Sequence, residues 1–312
     1  MALTSAATLM HRSGEPVLRQ TIKSLRRWTP LNYAATQVAR WGFQACGKTP
    51  AWAVKHLHRV GTVTASLPNG RVLRLWSRGD DWISNQVFWR GWAGHEPETT
   101  TLFLALAQKA NAIVDVGAYV GYYALLAAHA NPAARVLALE PLPAIYARLV
   151  RHVSLNRLSN VEGLMVAAGA REGVAMFYHH SHELPTSSSL SRDFMTGAEN
   201  LVATPVPVVT VDRLVRERDI PRVDLVKIDT ESTEPDVLLG MRETLARDHP
   251  WIVCEVLKGR GAEERLAPIL APFGYRFYLL TPEGTLPKNR IEGHPQWLNY
   301  LFAARDEEVP RL

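Results

Sequence analysis

Cysteine is nearly absent: Cys46 and Cys254 are the two in 312 residues. That argues against a disulfide framework, and their wide separation argues against a thiolate metal site. It fits a reducing compartment. Long apolar runs are also lacking, so no segment is long enough to span a bilayer as a helix. The first residues, MALTSAATLMHR, do not place a long apolar stretch after a basic one, so no secretory signal is expected and a cytoplasmic location is. Acid is scarce near the start. Across residues 1–60 Glu15 faces nine Lys and Arg, a net +8. The whole chain is at +5, so the remainder is at −3 and the basic character belongs to the N-terminal segment.

Hydrophobic residues make up 47% and charged residues 21%, which suits one large globular domain with an extension. Residues 1–60 are expected to form that extension, basic and helical, with Leu18, Ile22 and Leu25 at helical spacing. A helix packed on the body with a solvated basic face is favoured. Peripheral contact with an anionic membrane surface or an acidic partner is the alternative. No nucleic-acid motif accompanies the charge, so no nucleic acid is expected. Residues 61–110 form a lead-in. GTVTASL and RVLRLWS meet at Pro68-Asn69-Gly70, a hairpin signal. Trp82, Phe88, Trp89 and Trp92 follow, as core or as the mouth of a pocket.

From residue 111 to 312 the pattern alternates. Strands are expected at Ile113–Val116, Arg135–Leu139, Val161–Val166, Leu225–Ile228 and Trp251–Glu255. Helices are expected at Tyr122–His129, Ala144–Asn156, Pro235–Arg247 and Ala262–Phe273. Such alternation implies an α/β fold with a mostly parallel sheet covered on both faces. VAMFYHH and PVPVVTV form extra strands around a Ser-rich loop. YRFYLL and LNYLFAAR, separated by the turn-rich TPEGTLPKN, suit an antiparallel C-terminal edge.

The stretch AIVDVGAYVGYYALL ends a buried strand on Asp115 and then passes Gly117 and Gly121. Ligands bind beyond the carboxyl ends of parallel strands, and glycine lets backbone approach them. The dinucleotide fingerprint Gly-x-Gly-x-x-Gly is not met, because Tyr119 stands at its second glycine. An acid before the loop suits an ammonium group better than a pyrophosphate. S-adenosylmethionine, with an α-amino group, a sulfonium and no phosphate, is therefore the better match. The second strand ends on Glu140, where a carboxylate takes ribose hydroxyls in nucleoside-binding folds.

VDVGAYVGYYALL, VLALEPLPAIYARLVRHVSLN and VDLVKIDTES with EPDVLLGM downstream resemble the FkbM-type methyltransferases. The resemblance covers about Trp89 to Glu255 and, more weakly, the C-terminal strands. It implies a class I Rossmann-like methyltransferase fold with a seven-stranded sheet and S-adenosylmethionine as donor. It also implies O-methylation of a hydroxyl on a sugar or polyketide-type natural product. Tyr119 replaces the Asn usual in the first motif, and Ser232 replaces the Gly usual after the fourth strand. The expected cofactor residues are Asp115, Gly117, Ala118, Tyr119, Gly121, Glu140, Pro141 and Ala167.

LVKIDTESTEPD brings Lys227, Asp229 and Glu231 onto one face of an extended chain. Methyl transfer to an alcohol requires alignment and removal of the hydroxyl proton. Asp229 is the favoured base, with Glu231, Lys227 and Glu255 as further catalytic candidates. Glu234 and Asp236 suit the first turn of the next helix. Asp229, Glu231 and Glu255 could also hold a divalent ion, which nothing in the sequence indicates. His179, His180 and His182 are not expected to bind metal; Ser187 to Ser189 could contact an acceptor, but a flexible surface loop is the favoured reading. A nicotinamide oxidoreductase and a non-catalytic module docking through the basic segment are the rival readings. The oligomeric state stays open.

Overall fold

The computed structural model describes residues 29–181, 188–195, 201–304 and 309. The expected helix around Leu18–Leu25 lies outside them, as do His182 and Ser187. Two helices open the described chain, α1 (Thr29–Ala45) and α2 (Ala51–His56). The expected hairpin follows as β1 (Val60–Ser66) and β2 (Val72–Arg78), antiparallel in register from Val60↔Arg78 to Ser66↔Val72. The aromatic stretch is helical: α3 (Trp82–Arg90), capped by the Asp81 side chain on the Ile83 amide, and α4 (Pro97–Ala107). Phe88 and Trp89 are core, while Trp82 is 38% exposed.

The main body alternates β3 (Ala112–Val116), α5 (Tyr122–Ala130), β4 (Arg135–Leu139), α6 (Pro143–Leu155) and β5 (Val161–Leu164). The inserted strands are β6 (Ala167–Ala168), β7 (Gly173–His180), β8 (Ser188–Ser189) and β9 (Leu201–Val209). Then come α7 (Val211–Glu217), β10 (Leu225–Ile228), α8 (Glu234–Leu239), α9 (Arg242–Asp248), β11 (Trp251–Glu255) and α10 (Ala262–Leu270). The described elements end with β12 (Arg276–Thr281), β13 (Gly284–Lys288) and β14 (Asn299–Ala303).

The large sheet has the order β13-β12-β14-β11-β10-β3-β4-β5. Five strands, β11 to β5 in that order, are parallel, and the C-terminal strands are antiparallel. Alternate residues divide the core. Ile113, Leu225 and Val253 pack with α4 and α5 on one face, while Val114, Val226 and Ile252 pack with α8, α9 and α10 on the other. Seven of the strands are the expected ones. The eighth, β13, lies inside TPEGTLPKN, which the turn residues disguised. It forms a hairpin with β12 around Thr281↔Gly284.

The single helix expected over Pro235–Arg247 is two. Gly240 interrupts it because α8 ends against the insertion: a Cβ there would lie 2.1 Å from the Gly169 carbonyl oxygen. Asp212 then caps α9, accepting from the Glu243 amide (3.0 Å) and the Thr244 amide (2.8 Å). The insertion forms its own sheet, β6-β9-β7-β8.

The hairpin is tied to α6 rather than to the large sheet. Asn156 accepts from the Arg74 amide (2.8 Å) and donates to the Arg74 carbonyl (2.6 Å). His152 Nε2 accepts from the Trp76 amide (2.9 Å), and its Nδ1 donates to the Val120 carbonyl (2.8 Å). No helix among the described residues is long and apolar enough to cross a membrane.

Candidate active site

Strand order reverses between β3 and β10, so the crevice beyond their carboxyl ends is the natural ligand site. The two strands run in register, with Asp115 beside Lys227 and Val116 beside Ile228. Their loops meet backbone to backbone. Gly117 has φ 77°, its amide donates to the Leu139 carbonyl (3.1 Å), and a Cβ would lie 1.8 Å from the Asp229 carbonyl oxygen. No other residue fits. Gly121, at φ 87°, opens α5 where a Cβ would sit 3.0 Å from Leu149.

These ends frame a cavity of about 270 Å³. Val116, Leu139, Ala167 and Phe177 give it apolar walls. Glu140 lines it too, buried, with Oε1 accepting from the Leu142 amide (2.9 Å). Burial pushes its carboxyl up to about 8, against the pull of the Leu142 and Tyr119 amides. Tyr119 also lines the cavity, at φ 49°. Its Oη is buried without a hydrogen-bond partner among the described residues, and burial, with Asp81 and Asp80 nearby, raises the phenol pKa.

The opposite wall is charged. Lys227 is fully buried, and its Nζ donates to Asp229 Oδ2 at 3.2 Å. Burial opposes charge on Lys227, but Asp229, Glu96, Glu255 and Asp115 together outweigh it and raise its pKa. Asp229 keeps 31% of its side chain exposed. Glu255 ends β11 with Oε2 buried and unpartnered among the described residues. Burial, then repulsion from Asp229 and Glu231, holds it well above the ordinary carboxylate range. The same causes, burial first and then Asp229 and Glu234, push Glu231 up to about 8.

The alternation expected to carry Lys227, Asp229 and Glu231 along one face ends early, because β10 stops at Ile228. Glu231 (φ 55°) and Ser232 (φ 83°) both turn left-handed, so the bend, not the strand period, presents Glu231. Ser232 thus stands in a conformation natural to the Gly it replaces. Glu234 knots this loop: Oε1 accepts from the amides of Thr230 (3.2 Å) and Ser232 (2.9 Å) and from the Thr230 hydroxyl (3.1 Å). Its role is structural, as expected, and Asp236 pairs with Arg265 (3.0 Å). Ser189 braces the loop from the insertion, donating to the Glu231 carbonyl (2.6 Å).

Of the expected residues, Gly117, Tyr119, Glu140, Pro141, Ala167, Asp229, Glu231 and Glu255 line one cavity. Asp115, Ala118, Gly121 and Lys227 do not. Asp115, expected beside a ligand ammonium, is set back from the cavity. It lies behind the glycine loop, 1% exposed, because the register that sets it beside Lys227 carries it under α5. Burial pushes its carboxyl up to about 7 despite Lys227 and the Ala124 amide. Ala118 and Gly121 sit in the turn, and Lys227 lies buried behind Asp229.

Sequence reasoning missed Glu96. It stands at φ 43° just before α4, lines the cavity, and accepts from the Tyr123 hydroxyl (2.7 Å). Burial would raise its carboxyl, but His95, Lys227, Tyr123 and Asn299 together hold it below the ordinary value. The one signal was its neighbour Pro97, which marks a helix start and places an acid there. Trp82 and His95 join it on that wall. His179 is satisfied within the insertion by the His180 carbonyl and the Thr204 hydroxyl. Among the described residues no three His, Cys, Asp or Glu side chains converge to hold a metal ion.

The profile of the family described as "Methyltransferase FkbM domain" matches residues 115–306, which contain both loops and most of this cavity. The chain belongs to the FkbM methyltransferase family. Methyltransferase sdnD of Sordaria araneosa is 26% identical over 62% of this chain and 82% of its own. The 31-O-demethyl-FK506 methyltransferase FkbM of Streptomyces tacrolimicus is 25% identical over 68% of this chain and 88% of its own. The crystal structure of methyltransferase FkbM from Methylobacillus flagellatus KT overlays with a TM-score of 0.42 at 16% identity, over 62% of this chain and 43% of that one. In this FkbM methyltransferase Trp82, His95 and Glu96 precede the matched residues, so the lead-in adds a wall from outside the family domain.

Proposed function

We propose that this chain transfers a methyl group from S-adenosylmethionine to a hydroxyl of a small-molecule or glycan acceptor, of sugar or polyketide type. The observation that carries this reading is the junction at Gly117, where the glycine cradle and the Asp229–Lys227 pair meet over one cavity. The residues fit the donor. Glu140 offers a carboxyl to ribose hydroxyls at the end of β4, and Val116, Leu139 and Ala167 offer apolar surface to a purine. Glu96, in place of Asp115, supplies the carboxylate for the ammonium group.

When bound, the donor supplies an electrophilic methyl group on sulfur. Asp229 accepts the acceptor's hydroxyl proton, and its exposure lets it reach that proton. Lys227 orients Asp229 from behind and is too deeply buried to meet the acceptor. Glu231, pushed up to about 8, carries a proton near neutral pH and donates a hydrogen bond that aligns the acceptor oxygen, with Glu255 beside it on the cavity wall. The name of the Streptomyces tacrolimicus relative, which methylates an O-demethyl compound, supports transfer to oxygen. The nicotinamide alternative has no support from the family.

S-adenosylhomocysteine should raise the melting temperature, by an amount corresponding to about 2.7 kcal/mol at a hundredfold excess over Kd, and NADH should not. Asp229→Asn should keep that shift while methyl transfer falls about 10²–10⁴-fold. A stable Asp229→Asn protein with normal turnover would remove Asp229 from the mechanism, and a shift with NADH alone would end the methyltransferase reading.

A further inference from the structure

Helix α1 turns its apolar side outward. Thr36 is buried toward the body, and Arg59 binds the Tyr33 carbonyl (2.6 Å) and the Thr36 hydroxyl (2.8 Å). Phe43 lies tilted against Trp89 with ring centroids 5.9 Å apart, and Asn32 accepts from the Val60 amide (2.8 Å). With that polar and aromatic side docked, the opposite face is left with Leu31, Ala34, Ala35, Val38, Trp41, Gly42 and Ala45, all exposed. Leu31 is 48% exposed, Val38 63% and Trp41 62%; Trp52 of α2, set edge-on to Phe43 at 5.8 Å, adds a further 55%. A helix in a water-soluble protein normally does the reverse, and a continuous exposed apolar strip marks an interaction surface.

Charge selects the partner. Residues 29–60 contain no Asp or Glu, and exposed Lys48 and Lys55 follow the strip. Residues 1–28 add five Lys and Arg against Glu15. A second copy would bring two segments of net +8 together, so like charge opposes self-association through this face. An anionic surface is complementary. Tryptophan beside lysine on a helix without acids suits the boundary between headgroups and acyl chains, where the indole rings sit and the ammonium groups meet lipid phosphates. We infer that α1 and α2 dock this enzyme peripherally on an anionic lipid bilayer, with Leu31, Val38, Trp41 and Trp52 entering the headgroup boundary. The inference is independent of the proposed reaction.

The intact chain is sedimented with sucrose-loaded vesicles of phosphatidylcholine, alone or with about one quarter phosphatidylglycerol. It should sediment with the anionic vesicles, remain in solution with phosphatidylcholine alone, and be released as salt rises. Trp41→Ser together with Trp52→Ser should lower partitioning about tenfold or more, while the melting shift with S-adenosylhomocysteine is unchanged. Val38→Asp should act in the same direction without touching a tryptophan. No sedimentation with anionic vesicles at low salt overturns the inference. So does vesicle binding that these variants leave intact, because the basic residues alone would then suffice. A dimer that Trp41→Ser dissociates overturns it as well, because a second copy would then cover the face.

Discussion

On the β3–β4 side of the cavity the wall is backbone and apolar side chains around the Glu140 carboxyl. On the β10–β11 side Asp229, Glu231, Glu255 and Glu96 gather near buried Lys227. Both sides rest on left-handed residues: Gly117, Tyr119 and Gly121 on the first, Glu231 and Ser232 on the second. Where one loop must pass backbone to backbone against another, as at Gly117, no Cβ can be carried. Where a side chain must be presented, as at Tyr119 and Glu231, the loop carries the Cβ and accepts backbone strain to aim it.

The sharpest way to break this contrast is to give the first loop a side chain. Gly117→Ala puts a methyl group 1.8 Å from the Asp229 carbonyl at a φ of 77°. A loss of at least about 3 kcal/mol in stability is expected, with the S-adenosylhomocysteine shift abolished. Unfolding in urea, with and without that ligand, measures both; a variant that binds normally would show that the loops can part. Glu140→Ala removes the carboxyl but not the cradle. It should weaken S-adenosylhomocysteine by about 1.5–3 kcal/mol, as read by titration calorimetry, and an unchanged Kd would move the ribose contact elsewhere.

Protons offer a smaller test that spans both sides. Asp115 near 7, Glu140 near 8 and Glu231 near 8 all lie above the ordinary carboxylate value. The folded chain therefore holds protons that the unfolded chain releases, and stability falls as pH rises from about 4.5 to about 8. Burial lowers the pKa of His129 and His152, so their cost appears as pH drops through about 6.5. The ligand-free melting temperature should be higher at pH 6.5 than at 8.5, and a flat or inverted profile would contradict this charge assignment. Least in size is Ser232→Gly. It relieves a φ of 83° and removes a hydroxyl with no partner among the described residues. A gain of about 0.5–1 kcal/mol is expected, and a loss would mean that Ser232 is held by something beyond those residues.

Much of the cradle side was legible in the sequence, because Gly117 and Glu140 lie next to the strands they end. The charged side was legible only where it is local. Lys227 lies on β10 and Asp229 just past its end, so their shared face follows from period, while the ion pair between them is seen only in the structure. Glu231 kept its place in the cavity, but a bend put it there. Glu96 meets Lys227 across a long stretch of chain, and no local pattern reports such a contact. Asp115 stands apart for a related reason: its position at a strand end suggests a ligand contact, while the alternation of β3 sets it, like Ile113, on the face covered by α5. The break at Gly240 and the strand β13 were hidden by packing and turn chemistry that only neighbouring segments reveal.

The hairpin β1–β2 has a kinetic consequence. Two strands alone are barely stable, and the side chains that clamp this pair, His152 and Asn156, stand 76 and 82 residues from their partners Trp76 and Arg74. During synthesis the hairpin emerges well before α6 exists. The clamps on the Arg74 and Trp76 amides can close only after α6 has formed and docked, so β2 gains these partners later than β1 gains Asn32 of α1 on its Val60 amide.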